Sequence, residues 1–488
     1  MLNFTKSSVQ FKELFLDPVS EIFDLESLKG LAKDTGLVKR VRAIHPGIVL
    51  KAFSDCINSS NVQSLANVWT RYNFLAQAAG GVAVSYVAFE RFVNKKEFIA
   101  FTDEFEKLIS KHLPESALSD TARSVELLGK LIPGIKTIIP QDGSEIRVNP
   151  QADEKDEQNF NGTIKPNMKL HASLSLTSLS LAVRSFTEGT GDERAAIDVD
   201  AISKLGGLLL CDAGYPSNEL FFKLDDRNVN FIFKLKKNTI KEVVKVQAYA
   251  NNSYVGEVQY LHNEVVKFKE HPDFKGQRSY DFVVNVKYKG KVKQFRLLKV
   301  FNPIYNGICT SRELVNENLA LDDGYCYLLT NLQSSQADVA QVYATYRLRW
   351  QVELYFKCLK QGNNLDLGKG INENAIKGMA TLSIACNKLK FAIAANIQKQ
   401  YDVNMSPFKV STTGTYLEQE LINRALGFKG SEIKDTNFER AFINSFKTLK
   451  KSAIGAKNRA LGKGVACVNE ILERPPSVCG DLSFFNAA

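Results

Sequence analysis

Four consecutive apolar residues, Leu208-Leu209-Leu210-Cys211, run into Asp212 and are followed by Ala213-Gly214-Tyr215-Pro216-Ser217. A strand without polar alternation has no side for solvent, so it must be covered on both faces. Ser217 is placed to cap a short helix through Leu224. Strand, loop and helix in that order predict an α/β sheet with helices on its faces.

Composition permits that reading. A chain of 488 residues has room for several domains of roughly 100–200 residues each. Hydrophobic residues at 44% and charged residues at 24% are ordinary for a globular protein, which excludes a fibrous or low-complexity chain. The eight cysteines are scattered without a C-x-x-C pair and read as reduced thiols. The histidines show no metal spacing, so a zinc finger is excluded and any metal must be held by oxygen. The longest apolar stretch, Leu75 to Phe92, is broken by Gln77, Gly80, Gly81 and Glu90 and falls short of the roughly 20 residues of a membrane span. No signal peptide opens the chain, and the expected location is the cytoplasm. The formal charge of +10 favours a polyanionic partner, nucleic acid first, although proteins without such a partner also carry this excess.

Along the chain, residues 1–130 read as helical, from spacings such as Phe98, Phe101, Phe105, Leu108 and Ile109. Within them Lys39, Arg40 and Arg42 form either a phosphate-contacting edge or a solvated helix end. Strands are predicted from residue 131: Ile135 to Ile139 leading into Asp142-Gly143, the alternating Lys169 to Leu176, and Leu181 to Phe186. Residues 131–228 are thus the first part of the α/β domain. Residues 229–330 are rich in alternating segments, including Tyr280 to Tyr288 and Lys291 to Val300 around Lys289-Gly290, and read as a β-rich insertion. Residues 331–400 return to helices, Ala337 to Gln361 and Ala375 to Gln400, as the second part of the domain. Residues 401–488 read as a helical basic region, with Lys447, Lys450, Lys451, Lys457, Arg459 and Lys463 unopposed by acid between Ala441 and Asn469.

One helix stands out chemically. With Tyr346 at zero and 100° per residue, Arg349, Glu353 and Lys360 fall at about 300°, 340° and 320°, while Leu348, Val352, Tyr355 and Leu359 lie nearly opposite. The polar face is either an exposed i, i+4 ion pair or a carboxylate flanked by cations and a hydroxyl. The second arrangement suits a hard divalent cation beside a phosphodiester. Asp142 and Asp212, each expected at a strand end with a glycine close behind, are the candidates for further carboxylates. Each also reads as a plain turn or a helix cap.

The spacing Tyr346, two residues, Arg349, three residues, Glu353, six residues, Lys360 resembles the Y-R-E-K signature of the bacterial insertion sequence 4 family of transposases. Asp142-Gly143-Ser144 and Asp212-Ala213-Gly214-Tyr215 resemble its first and second aspartate motifs, and Lys169-Leu170-His171 and Leu328-Leu329-Thr330-Asn331 are also similar to the family's. The resemblance covers about residues 130–362. It implies a ribonuclease H-like mixed sheet flanked by helices, with a β-rich insertion between the second aspartate and the glutamate. The 141 positions from Asp212 to Glu353 independently exceed any normal connection.

The resemblance further implies that Asp142, Asp212 and Glu353 hold two Mg²⁺ or Mn²⁺ ions. They would activate water and then a DNA 3′ hydroxyl, while Tyr346, Arg349 and Lys360 hold DNA phosphates. The implied partners are double-stranded DNA, as terminal inverted repeats and target, and a second copy of the chain in a synaptic homodimer. No membrane is involved, and the protein would sit on the nucleoid when bound to DNA. Residues 1–130 are then the expected DNA-binding region. His171 is read as structural. Because Trp69 and Trp350 lie outside the insertion, a Tyr or Phe would have to handle any flipped base. A non-catalytic DNA-binding descendant and a structure-specific nuclease of the same fold are the competing readings.

Overall fold

The computed structural model describes residues 12–40, 43–58, 64–113, 121–147, 167–189, 193–236, 243–250, 253–263, 279–301, 325–365, 373–401, 405–426 and 460–474. Among the described residues a π-helical turn (Lys12–Leu16) comes first, followed by seven α-helices: α1 (Asp17–Ile22), α2 (Leu25–Asp34), α3 (Pro46–Ile57), α4 (Leu65–Ala78), α5 (Tyr86–Val93), α6 (Lys96–His112) and α7 (Thr121–Leu131). Then follow β1 (Thr137–Arg147), β2 (Asn167–Ser175), β3 (Ser180–Glu188), α8 (Val199–Leu205), β4 (Gly207–Cys211), α9 (Asn218–Asp226) and β5 (Asn230–Leu235). The strands β6 (Val243–Ala250), β7 (Ser253–Asn263), β8 (Ser279–Tyr288), β9 (Lys291–Phe301) and β10 (Tyr325–Thr330) complete the sheet. The chain returns to helices in α10 (Val339–Arg347), α11 (Trp350–Gly362), α12 (Glu373–Tyr401), α13 (Pro407–Thr413), α14 (Thr415–Ala425) and α15 (Ala460–Leu472).

The apolar run in β4 is wholly buried, and its residues alternate between two cores. Leu208 and Leu210 join Ile138, Ile232 and Leu328 in a core shared with the N-terminal helices and α10–α12. Leu209 and Cys211 join Ile139, Phe231, Phe233 and Leu329 beneath Leu220, Phe221 and Leu224 of α9. The fold is therefore a mixed α/β sheet flanked by helices. Its ten strands run β3-β2-β1-β4-β5-β10-β9-β8-β6-β7, with β1–β4 and β4–β5 parallel. Both β5 and β10 lie within residues 229–330, and both pair inside this sheet, so the β-rich stretch continues it rather than standing apart. Ser217 caps α9 as its sequence suggests, accepting from Leu220 N–H at 3.1 Å. The β8–β9 turn places Lys289 and Gly290 at φ +45° and +76°, the left-handed pair that a two-residue hairpin needs.

Three expectations are corrected. Asp142-Gly143 is not a strand end: β1 continues through both to Arg147, because β2 takes up pairing from Gln141 onward. On β2, Leu170, Ala172 and Leu174 are buried as the alternation requires, but His171 and Ser173 on the other face are buried too. The single helix Ala337–Gln361 is two. Leu348, Arg349 and Gln351 donate to the carbonyls three residues back at 2.9–3.0 Å, a tight 3₁₀ turn that separates α10 from α11. Arg42 and the basic positions 447–459 lie outside the described residues, as does the side chain of Lys463.

The N-terminal helices share the first core with the C-terminal ones. Arg184 on β3 pairs with Asp103 and Glu106 of α6, tying those helices to the sheet edge. Where α6 meets α12, a Cβ on Gly378 would lie 2.5 Å from the Phe98 ring. Gly378→Val is therefore expected to lower stability by about 1–3 kcal/mol through overpacking, read as a shift in the denaturant midpoint. An unchanged midpoint would show that α6 and α12 pack loosely.

Candidate active site

β1 and β4 are paired from Thr137↔Gly207 to Pro140↔Leu210. Every paired position differs by 70, as do Asp142 and Asp212, so the two carboxylates stand at one level just past the last pair. There β4 ends and β1 goes on with β2 alone, so both carboxylates lie at the carboxyl end of the parallel strands, the end at which open α/β sheets take ligands. The even-numbered residues of both strands face the core that contains α11, and alternation turns Asp142 and Asp212 the same way.

α11 lies on that face, with Val352, Tyr355 and Leu359 buried. This seats Glu353 opposite β1. Arg349, delivered by the 3₁₀ turn, spans two carboxylates: its Nη1 lies 3.6 Å from Asp142 Oδ2, and its Nη2 is ion-paired with Glu353. Asp142 Oδ1 accepts from Gly143 N–H at 2.8 Å and Asp212 Oδ1 from Ala213 N–H at 2.6 Å. Lys360, at the last turn of α11, donates to the Glu145 carbonyl at 2.9 Å, further along β1. Tyr346 is not on the helix that Arg349 caps and that carries Glu353 and Lys360. It belongs to α10, is buried, and lies near Arg349.

The cluster is crowded. Burial raises the pKa of Asp142 despite the Gly143 N–H and Arg349, and Asp212 adds to the rise. Burial likewise raises Glu353 against the pull of Arg349, with Asp142 and Asp212 contributing. Burial opposes the charge on Arg349, but the Asp212 and Glu353 carboxylates outweigh it and hold the guanidinium ionised. Only 12% of the Arg349 side chain is exposed, against 25% for Asp142 and 28% for Glu353, so solvent screens these charges weakly.

Behind β1 lies a second polar layer, formed by Lys169 and His171 of the Lys169-Leu170-His171 motif. A Cβ on Gly143 would come within 2.6 Å of Lys169 Cε and 3.2 Å of His171 Nδ1, which explains the glycine after Asp142 as a close approach rather than a turn. Lys169 is ion-paired with Glu193. His171 pairs with Thr187 Oγ1 at 2.8 Å and is pushed down to about 4 by burial and then by Lys169. Being opposite Gly143 in register, it faces away from Asp142. The strict alternation of β2 is the signal that would have separated these side chains from the carboxylate face.

All the donors available to a cation here are carboxylate oxygens, a set that suits a hard divalent ion. Among the described residues, no three acidic, Cys or His side chains stand at the spacing of ligands to one ion, and between Asp142 and Glu353 the intervening group is Arg349.

A family model described as transposase DDE domain matches residues 133–386, more than half of the chain and all six of these positions. The chain belongs to that family. Its DDE domain encloses every strand of the sheet. Among solved structures, the chain is similar to a piggyBac transposase synaptic complex with hairpin DNA, at 11% identity, covering 91% of this chain and 86% of that one, with a TM-score of 0.36. No curated protein matches it.

The raised carboxylates have a thermodynamic consequence for the metal-free transposase. A carboxyl whose folded pKa exceeds its unfolded value contributes stability that is present below about pH 4 and is lost as pH rises through the folded value. Asp142→Asn removes that loss. Its melting temperature should exceed the wild type's at neutral pH, with the gap closing toward pH 4. A variant no more stable at pH 7 would show that Asp142 is fully compensated by Arg349.

Proposed function

We propose that the chain is an active cut-and-paste transposase of the bacterial insertion sequence 4 family, with a ribonuclease H-like catalytic fold. The observation that carries this reading is the meeting of Asp142 and Glu353 around one guanidinium, at the sheet level that Asp212 also occupies. In this reading residues 131–228 and 331–400 form the catalytic domain and 229–330 its β-rich insertion. Residues 1–130 and 401–488 are helical flanks that contact DNA.

Asp142, Asp212 and Glu353 are the ligands for two Mg²⁺ or Mn²⁺ ions, which when bound activate the attacking oxygen and neutralise charge on the phosphodiester. The protein's own work is positioning. Arg349 offers a planar fork that matches two phosphate oxygens, Lys360 a point charge further along β1, and Tyr346 a hydroxyl beside Arg349. Water attack at the transposon end breaks a P–O3′ bond and frees a 3′ hydroxyl, which would then attack a target phosphodiester in line and displace the target strand's own 3′ oxygen. The partners are the terminal inverted repeats and target duplex, with two copies of the chain pairing two ends, in the cytoplasm on the nucleoid.

With Mg²⁺ and a duplex carrying the inverted repeats that bracket the gene, the wild type should cut at the ends and join them to target. Asp142→Ala and Glu353→Gln should each lose more than about hundredfold, since even outer-shell partners of metal ligands cost 10- to 100-fold. Failure of the wild type to cut in a metal-dependent way would sink the proposal, and cutting without joining would assign a structure-specific nuclease instead. Lys360→Ala should weaken DNA binding evenly across sequences and reduce the slope of log affinity against log salt by about 1.

A further inference from the structure

Arg349 occupies the space between two carboxylates that come from different elements. Its two terminal nitrogens face Asp142 on β1 and Glu353 on α11, and Asp212 adds to the field that holds it charged. A cation is thus already present in the cluster, supplied by the chain itself. Resting on the reading of these carboxylates as metal ligands, we infer that Arg349 and a divalent cation are competing occupants of one carboxylate cluster.

Like charges at close range in a weakly screened site repel strongly, so a divalent ion and the guanidinium cannot both keep Asp142 and Glu353 as close partners. The divalent ion brings twice the charge to oxygen ligands, while the guanidinium is attached to the chain and always present. The position of Arg349 permits the exchange. It lies in the 3₁₀ turn between α10 and α11, where backbone geometry is less fixed than in the middle of a helix. A guanidinium released there, still mostly buried, needs another anion, and a DNA phosphate is the one that the proposed reaction brings. Metal loading and phosphate capture then become linked through one side chain.

The test is Mn²⁺ affinity in the absence of DNA, measured on the full chain by the loss of the free-ion electron paramagnetic resonance signal. Arg349→Gln removes the competing charge and should bind Mn²⁺ tighter than the wild type by roughly tenfold or more, the scale on which one neighbouring charge moves a carboxylate's affinity for a proton. Arg349→Lys keeps the charge but cannot span both carboxylates. It should fall between the two, and it serves if the glutamine variant does not fold. Mn²⁺ binding by either folded variant that is equal to or weaker than the wild type's overturns the competition while leaving the metal site standing. If wild type, Arg349→Gln and Glu353→Gln all fail to bind Mn²⁺, the metal reading itself fails and the inference goes with it.

Discussion

The parallel pairing of β1 with β4 is the constraint on which the rest depends. It is buried on both faces, so two separate cores must form, one under the N-terminal helices and α10–α12 and one under α9. The same alternation that sorts leucines between the cores also sorts the polar groups. Asp142 and Asp212 turn to the α11 side, whereas Gly143 and His171 turn to the other. A one-residue slip in either strand would exchange the two sets. Placement of the acidic cluster is therefore a consequence of core packing, and needs no separate device.

Legibility in the sequence followed the range of the physical signal. The buried run of β4, the Ser217 cap and the Lys289-Gly290 hairpin are local, and each was readable from a few residues. The helix break at Leu348-Arg349 was not, because no Pro or Gly marks it. A helical wheel assumes an unbroken 3.6-residue period, and a single 3₁₀ turn resets the phase. A wheel drawn through Tyr346 therefore does not describe one helix, whereas Glu353 and Lys360 do share one. The extension of β1 through Asp142 was hidden for a related reason. The sequence shows an Asp-Gly pair, a common turn, and only the pairing with β2 reveals that the glycine is there for Lys169 and His171. The Y-R-E-K spacing pointed to four residues, of which Arg349 and Glu353 form an ion pair, and its residues are divided between two helices rather than carried by one.

The two ends of α11 are held very differently, and the difference bears on how Glu353 and Arg349 work. At the carboxyl end Lys390, fully buried, donates to the Gly362 carbonyl at 3.1 Å, Asn363 Oδ1 at 2.7 Å, the Ser411 carbonyl at 3.1 Å and Thr415 Oγ1 at 3.0 Å. Ser411 Oγ in turn donates to the Cys358 carbonyl at 3.0 Å. The last carbonyls of a helix need such partners, and here a cation from α12 supplies them inside the core, close to buried Glu418. A Cβ on Gly362 would meet Ser411 Oγ at 2.1 Å, so the fit allows little displacement.

The amino end is held differently. Its cap position is Arg349 itself, with no side-chain cap, and the connection to α10 is one tight turn. Glu353 is only one turn further along, within the segment that the buried residues Val352, Tyr355 and Leu359 fasten to β1 and β2. A helix anchored at its far end and along its apolar face can keep Glu353 at the level of the two aspartates while the Arg349 side chain changes partners. Rigid placement of one acid and exchangeable placement of the neighbouring cation thus come from the same helix, divided by where its backbone hydrogen bonds are satisfied.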